Sequence, residues 1–119
     1  MSQIRSKIAG VSFKNNNGTD RQAIIRKFVH AGDPLILVRE PHNKFSEDGS
    51  AVAVYIRIKK FWFFTSHEQL GYIGSNISGD VAAHMDSRRP VKAVVSDVTG
   101  GTKGKSIGVN IIIELIGAS

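Results

Sequence analysis

The segment 42–48 concentrates side chains capable of binding chemistry between two strand-like runs of the sequence. Within seven residues it supplies an imidazole, an amide, a cation, an aromatic ring and a carboxylate: His42, Asn43, Lys44, Phe45 and Asp48. An ordinary turn would need only Asp48 and Gly49 for its geometry and Asn43 to cap backbone groups. The composition of the segment favours a binding site, and an ordinary turn remains the alternative.

Elsewhere the sequence offers no recognisable catalytic or metal-binding pattern. The 4 histidines lack metal-ligand spacing and cysteine is absent, so we expect no metal site and no thiol nucleophile. Glu47 and Asp48 are adjacent, and on an extended chain they point apart instead of forming an acid–base pair. The glycine-rich stretch 100–106 is too short for a P-loop and precedes a β-branched run, which favours a hairpin turn. We predict a non-enzymatic protein without cofactor.

Size and charge narrow the class further. The chain has 119 residues, 41% of them hydrophobic, which predicts one domain spanning residues 1–119. The net charge is +6, and all of the excess lies in residues 1–60, with 11 bases against 5 acids. A localised basic surface attracts polyanions such as nucleic acid, although it can also serve solubility alone. With no apolar run long enough for a membrane helix and no signal peptide, we expect a cytoplasmic protein without membrane contact.

Strand patterns dominate the chain. Residues 51–59 and 106–116 alternate strictly, with Val52 and Ile58 on one predicted core face and Ile107 and Leu115 on another. Further candidates are the runs 8–13, 35–40, 61–64, 69–73 and 91–98. One helix is expected from a cap at Thr19 or Asp20 to Gly32, and a weaker one over roughly 77–87. The pattern predicts a mainly β protein, a small OB-like or SH3-like β-barrel with two short helices.

The run RIKKFWFF, residues 57–64, interleaves basic and aromatic side chains. If it is a strand, Phe61 and Phe63 lie on one face and Trp62 and Phe64 on the other, so at least one face packs in the core. Rings and cations together also suit single-stranded nucleic acid, because bases stack on rings while cations meet phosphates. An exposed aromatic face is alternatively typical of a protein-interaction or self-associating module.

The succession of these pieces resembles the HIRAN domain family. The matching pieces are AGVSF at the start, VREPHN at the end of a strand, an acid before AVAVY, and LGYI leading into a helix, which together cover residues 8–116. The resemblance implies a modified OB-like barrel with two helices. Such modules accompany DNA-repair and remodelling helicases, where they bind single-stranded DNA and capture its 3′-hydroxyl end. Others are free-standing proteins of bacteria and phages, which this chain resembles more.

The resemblance also implies site residues. Phe13 matches an aromatic position of the family pocket, and Lys14 stands at the next one. Asn43, Lys44 and Phe45 match the family's Asn-Pro-aromatic-Asp loop, whose acid corresponds best to Asp48, with Ser46 as a second candidate. Tyr72 is the polar residue that follows the LG glycine.

Some positions depart from the family pattern. Ser12 and Ser75 stand where end-binding members carry bases, and Lys44 replaces the loop proline. Lys14, Arg39 and Lys44 are therefore expected to make the phosphate contacts. The stretch 57–67 is longer than the family's usual turn. We predict a single-stranded DNA-binding module that prefers 3′ ends, working with larger DNA-processing machinery as a monomer or weak homodimer.

Overall fold

A computed structural model describes residues 2–117 of the chain. Six strands and two helices follow one another in the order β1 (Ser2–Ala9), α1 (Arg21–Phe28), β2 (Pro34–Arg39), β3 (Val52–Lys60), β4 (Phe64–Ile73), α2 (Ser75–Asp86), β5 (Val91–Gly100) and β6 (Ile107–Leu115). All strand pairs are antiparallel, and the sheet closes on itself in the order β1-β4-β3-β2-β5-β6. The predicted mainly β barrel with two short helices is confirmed.

The barrel core is built from alternate residues of the strands. In β6, Ile107 to Leu115 alternate between buried and half-buried positions along the whole strand, and in β3, Val52 to Ile58 provide the buried face. Both inward faces are as the sequence predicts, because a barrel wall has one wet and one dry side and imposes a period of two. The core is entirely aliphatic, and no aromatic residue is among its buried hydrophobic side chains within residues 2–117.

Both helices begin close to their predicted positions. The Asp20 side chain caps α1 by accepting a hydrogen bond from the Gln22 backbone N–H at 3.0 Å, as expected for an N-cap aspartate. The helix ends at Phe28, earlier than the predicted stop at Gly32, because Val29 already has an extended backbone. The second helix runs from Ser75 to Asp86, close to the predicted 77–87.

Two predicted strands are wrong in position. The opening strand was expected over 8–13, but β1 covers Ser2–Ala9, and the chain turns at Gly10, whose φ is +76°. The run 61–64 is not a strand with a buried face. Residues 61–63 form the turn between β3 and β4, and Phe61 adopts a left-handed φ of 56°, which reverses the chain despite the high β propensity of its aromatic residues.

The β3–β4 hairpin extends beyond the closed part of the barrel. β2 pairs with β3 only up to Tyr55, and β1 pairs with β4 only at Tyr72 and Ile73. Among the described residues, the segments 56–60 and 64–68 therefore pair only with each other. We call this two-stranded segment, residues 56–68, the ribbon. A β-bulge between Val54 and Tyr55 marks its junction with the barrel.

Candidate nucleic-acid interface

A groove of about 550 Å³ opens at the end of the barrel where the β2–β3 loop meets α2. Its lining includes Asn43, Phe45, Asp48, Ser50, Tyr72 and Ser78. Four of the residues predicted from the sequence, namely Asn43, Phe45, Asp48 and Tyr72, therefore line one cavity. They come from a loop and a strand separated by more than twenty residues in the chain. The pairing of β3 with β4, which sets Ala53 opposite Tyr72, brings them together.

Backbone hydrogen bonds fix the shape of the β2–β3 loop. The Glu40 N–H donates to the Ala51 carbonyl at 2.9 Å, which closes the loop at its base. Inside it, the Asn43 N–H donates to the Glu40 carbonyl at 3.1 Å, and the Ser46 N–H donates to the Asn43 carbonyl at 3.1 Å. The Asn43 side-chain oxygen accepts from the Phe45 N–H at 2.8 Å, an Asx turn. These bonds present the Phe45 ring outward, with 86% of the residue exposed.

A three-membered side-chain network connects the loop to β4. The Tyr72 hydroxyl donates to Glu40 Oε1 at 2.9 Å, and the Asn43 amide donates to the same oxygen at 2.9 Å. The Asn43 amide also donates to the Tyr72 hydroxyl at 3.1 Å. Glu40 thus positions two candidate site residues, and sequence analysis did not select it. Its only sequence signal is an acid at the end of a strand, directly before the loop.

Asp48 lies on the groove wall as an exposed, partly satisfied acceptor. Its Oδ1 accepts from the Ser50 N–H at 3.0 Å, from the Ser50 hydroxyl at 2.6 Å and from the Ser46 hydroxyl at 3.3 Å. These bonds, led by that of the Ser50 hydroxyl, hold the pKa of Asp48 below its usual 3.8. Oδ2 has no hydrogen-bond donor within residues 2–117. The carboxylate is therefore ionised near neutral pH with one oxygen available to a ligand.

Ser50 extends this arrangement to the start of α2. Its hydroxyl lies 3.1 Å from that of Ser78, which is buried. Sequence analysis missed both serines, because the only signal is a hydroxyl two residues after an aspartate, a common turn pattern. Ser46, the second candidate for the family's acid position, also lines the groove.

Phe13 and Lys14 lie in the β1–α1 connection and do not line the groove. The Phe13 N–H donates to the Gly10 carbonyl at 3.2 Å, and Lys14 forms a backbone bridge with Asp20. Both side chains are exposed. Their contact with DNA stays a prediction.

Arg21, which sequence analysis did not select, joins this connection to the groove. It is only 7% exposed and donates to the Gly10 carbonyl at 2.8 Å and to the Asn15 side-chain oxygen at 2.7 Å. Its guanidinium carbon lies 5.7 Å from the centre of the Tyr72 ring, within cation–π distance. The available sequence signal was its helical spacing to Ile24 and Ile25, which places it on the inward face of α1.

Arg39 and Lys44 are also outside the groove lining. Arg39 donates to both carboxylate oxygens of Asp86, at 3.0 and 3.1 Å, and to the Ala51 carbonyl at 2.8 Å. It thereby ties the end of β2 to the end of α2 and to the loop base. The Lys44 ammonium lies 5.2 Å from the centre of the Phe45 ring, at the rim of the groove. Their predicted phosphate contacts stay predictions.

Tyr55 lies on the outer surface of the barrel, close to Glu40 and Tyr72. Burial raises the pKa of its hydroxyl, and the charge of Glu40 and the neighbouring Tyr72 raise it further. Tyr55 is therefore neutral over the physiological range and can donate a hydrogen bond.

Within residues 2–117 no three histidine, cysteine, aspartate or glutamate side chains are grouped so as to hold a metal ion. Over the same residues, neither helix has the length and apolar character needed to cross a bilayer.

The fold is that of a small, closed β-barrel protein with a groove at one end, and comparison with known proteins gives the family. The model of the HIRAN domain matches residues 1–115, so the chain belongs to the HIRAN domain family, which is known for nucleic-acid binding. The crystal structure of a protein from Lactobacillus plantarum, a structural genomics target, matches with a TM-score of 0.59 at 18% identity. The match covers 95% of this chain and 99% of that one, and supports the fold alone. No curated protein matched the sequence.

Proposed function

We propose that this protein is a single-stranded DNA-binding module that prefers the 3′-hydroxyl end of a strand. The observation that carries the proposal is the groove, where the free Oδ2 of Asp48 lies on the same wall as the exposed Phe45 ring. Family membership supports nucleic acid as the ligand class. The basic excess in residues 1–60 is consistent with attraction of a polyanion.

A carboxylate can distinguish a strand end from its interior. A terminal 3′-hydroxyl donates a hydrogen bond to Asp48, whereas an internal nucleotide or a 3′-phosphate brings a negative charge to the same place. Phe45 offers a stacking surface that accepts any base, worth about 1–3 kcal/mol per base. Specificity is therefore expected for the end of a strand and little for its sequence.

The direct test is fluorescence anisotropy with one labelled oligonucleotide that carries either a 3′-hydroxyl or a 3′-phosphate. We expect tighter binding of the hydroxyl form, and we expect Asp48→Asn to reduce this preference more than it reduces overall affinity. Asn keeps the size of the side chain and removes the charge that repels the phosphate.

A matched control is Asp97→Asn, since Asp97 is an exposed carboxylate on β5 that accepts from Asn110 and lies outside the groove. It should leave the end preference unchanged. Equal binding of both oligonucleotides by the wild type, with salt-sensitive affinity, would reduce the site to a general basic surface.

We further propose that the module binds DNA without chemical turnover. The support is the loop architecture: Glu40 accepts from Asn43 and Tyr72 whereas Asp48 accepts from Ser46 and Ser50, so the two carboxylates share no hydrogen-bond partner. Incubation of end-labelled DNA with the protein and Mg²⁺ should return the label intact. Release of label that depends on Asp48 would make the protein a nuclease instead.

A further inference from the structure

The tip of the ribbon exposes a contiguous group of aromatic side chains. Phe61, Trp62, Phe63 and Phe64 are 77%, 84%, 75% and 53% exposed, respectively. The rings of Phe61 and Phe63 are nearly parallel, with centroids 6.1 Å apart, and Trp62 meets Phe63 edge-on at 5.4 Å. We call these four residues the aromatic tip. So large an exposed apolar group is typical of a binding surface.

One face of the ribbon connects the groove to the aromatic tip. Tyr72, in the groove lining, is paired with Ala53, and successive residues of β3 on that face are Tyr55, Arg57 and Lys59. Arg57 and Lys59 are exposed, whereas Ile56 and Ile58, which alternate with them along the strand, are buried. The alternation of the strand therefore fixes which face the two cations occupy.

The charges on this face favour an anionic polymer. On β4 the cross-strand partners of Arg57 and Lys59 are His67 and Thr65, so no acid faces these two cations from the ribbon. The acid of the ribbon, Glu68, pairs with Ile56 in the register and lies on the opposite face. There its carboxylate is 3.9 Å from the Lys60 ammonium.

We propose that the ribbon is a second contact for the same DNA strand, with Arg57 and Lys59 meeting phosphates and the aromatic tip stacking on bases upstream of the 3′ end. The inference rests on the proposed function, because the groove fixes the end from which the strand runs. From Ala53 to Phe61 the strand rises by about 27 Å. A stacked single strand covers that distance in about eight nucleotides, and a stretched one in fewer.

The exposed area argues against a second copy of the chain as the occupant. Four aromatic side chains of this size and exposure would bury about 600 Å² per copy, less than the roughly 800 Å² per partner of a stable interface. Stacking on separate bases needs no such continuous area. The basic residues along the route to the groove have no role in self-association through the tip.

Strand length is the decisive variable in the test. We would measure anisotropy with 5′-labelled strands of about 3, 6, 9 and 12 nucleotides, each with a 3′-hydroxyl or a 3′-phosphate. For the wild type, affinity should rise until the strand reaches the aromatic tip and then level off. Trp62 is the single tryptophan of the chain, so quenching of its fluorescence should accompany binding of the longer strands and be absent with the shortest.

The variant that removes the stacking surface is the triple replacement Phe61→Ser, Trp62→Ser and Phe63→Ser. It should lose about 5- to 150-fold in affinity for the longer strands, corresponding to at least one stacked base. Affinity for the shortest strand and the hydroxyl-to-phosphate ratio should stay at the wild-type values. Those two readouts also show that the barrel and groove are intact.

A charge-matched pair of double variants tests the phosphate contacts. The salt slope is the steepness with which the logarithm of the affinity falls with the logarithm of the salt concentration. Arg57→Ala with Lys59→Ala should lower this slope for the longer strands by about 1.4, the value for two lost single-strand phosphate contacts. Lys103→Ala with Lys105→Ala removes the same charge from the β5–β6 turn, outside this face, and should leave the slope unchanged. Equal effects of the two pairs would contradict a route along the ribbon.

The outcomes separate this inference from the proposed function. If the wild type ignores the 3′ group but the tip variant loses affinity for long strands, the end preference fails and the ribbon contact stands. If the end preference holds and the tip variant binds all lengths like the wild type, the ribbon contact is overturned. The ribbon contact would also be overturned if affinity did not rise with strand length and Trp62 were instead required for binding to vesicles of anionic lipid. The same would hold if Trp62 were instead required for a dimer mass in light scattering.

Discussion

At the scale of single residues, Asp48 has the two properties that recognition of a hydroxyl group requires. Three donors from Ser46 and Ser50 hold its Oδ1 in place, so the side chain is oriented before a ligand arrives. Its Oδ2 remains available, which leaves one acceptor for a terminal hydroxyl. An oriented acceptor loses little side-chain entropy on binding, and this strengthens a single hydrogen bond.

The ionisation of Asp48 predicts how the end preference depends on pH. Because its pKa is lowered from 3.8, chiefly by the Ser50 hydroxyl, the preference for a 3′-hydroxyl over a 3′-O-methyl end, which does not titrate, should be constant from about pH 8 to about pH 5. It should be lost only as the pH falls through the lowered pKa, where protonation removes the negative charge. The hydrogen bonds from Ser50 to ionised Asp48 also stabilise the folded protein. This stabilisation is fully present above pH 3.8 and is lost as the pH falls through the lowered pKa of the folded state.

The measurement is the ratio of 3′-hydroxyl to 3′-O-methyl affinity as a function of pH, with Asp48→Asn as the pH-independent control. A 3′-phosphate does not serve here, because its own second ionisation falls at about pH 6. A decline of the wild-type ratio between about pH 5 and pH 7 would implicate a histidine instead.

Arg39 illustrates how a residue selected for ligand binding can carry structure. Its half-buried guanidinium donates hydrogen bonds to the Ala51 carbonyl and to Asp86 at the same time. The hydrogen bond from Arg39 lowers the pKa of Asp86. Arg39→Ala should therefore reduce the free energy of unfolding by about 0.5–1.5 kcal/mol, because the Ala51 carbonyl loses one of its two donors and keeps the Glu40 N–H. Asp86→Ala should cost less, since an exposed ion pair contributes weakly.

Chemical denaturation of the two variants checks this order. DNA binding by folded Arg39→Ala then decides the second role. A salt slope lower by about 0.7 than that of the wild type would show that Arg39 contacts a phosphate in addition to its structural role. An unchanged slope would show that Arg39 has a structural role only.

At the scale of elements, β1 and β4 approach each other closely at Gly71. A Cβ atom on Gly71 would collide with the Ala9 carbonyl oxygen and lie 2.8 Å from Ile8 Cγ2. Gly71→Ala should destabilise the protein by at least about 2 kcal/mol, because both neighbours are held in the barrel wall. Gly79→Ala is the matched control: Gly79 lies within α2 with nothing within 4 Å of its added Cβ, so it should stabilise by about 0.5–1 kcal/mol.

Denaturation midpoints of the two alanine variants test the prediction. A neutral Gly71→Ala would show that β1 can move away from β4 without disturbing the barrel.

The elements that the sequence predicts well are those whose environment is uniform along their length. β6 alternates along its whole length because one of its faces lines the core, and β3 buries the predicted face from Val52 to Ile58; period-two patterns identify such strands. The run 61–64 was misassigned since its aromatic residues favour strands in general, whereas here a left-handed Phe61 forms the turn. No local pattern in the sequence indicates that conformation.

The sequence predicts only those residues of the candidate site that lie in recognisable local patterns. Asn43, Phe45 and Asp48 are neighbours in the sequence, and the resemblance to a family selected them with Tyr72. Glu40, Arg21 and Ser78 act through contacts made by the folded barrel, between elements remote in the chain. Such roles follow from the tertiary structure, and residue types alone do not reveal them.

At the scale of the whole molecule, groove and aromatic tip lie at opposite ends of the same two strands. The basic excess of residues 1–60 includes Arg57 and Lys59 on the ribbon face and Lys44 at the groove rim. Most of the excess lies in β1, α1 and their connection, with 6 bases against 2 acids in residues 1–33, whereas residues 34–73 carry 5 bases against 4 acids. This arrangement favours fast, salt-dependent encounter with a polyanion before the specific contacts form.

The closure of the barrel has a consequence for how the chain reaches its native state. The first strand pairs with the last, from Ser2 with Leu115 to Lys7 with Asn110, so the seam joins residues more than one hundred positions apart. Contacts of such long sequence separation slow folding, because chain entropy is lost before they form. Until β6 joins it, β1 has only the short pairing with β4 to hold it. The seam is therefore the point at which an incompletely folded chain would expose strand edges to its neighbours.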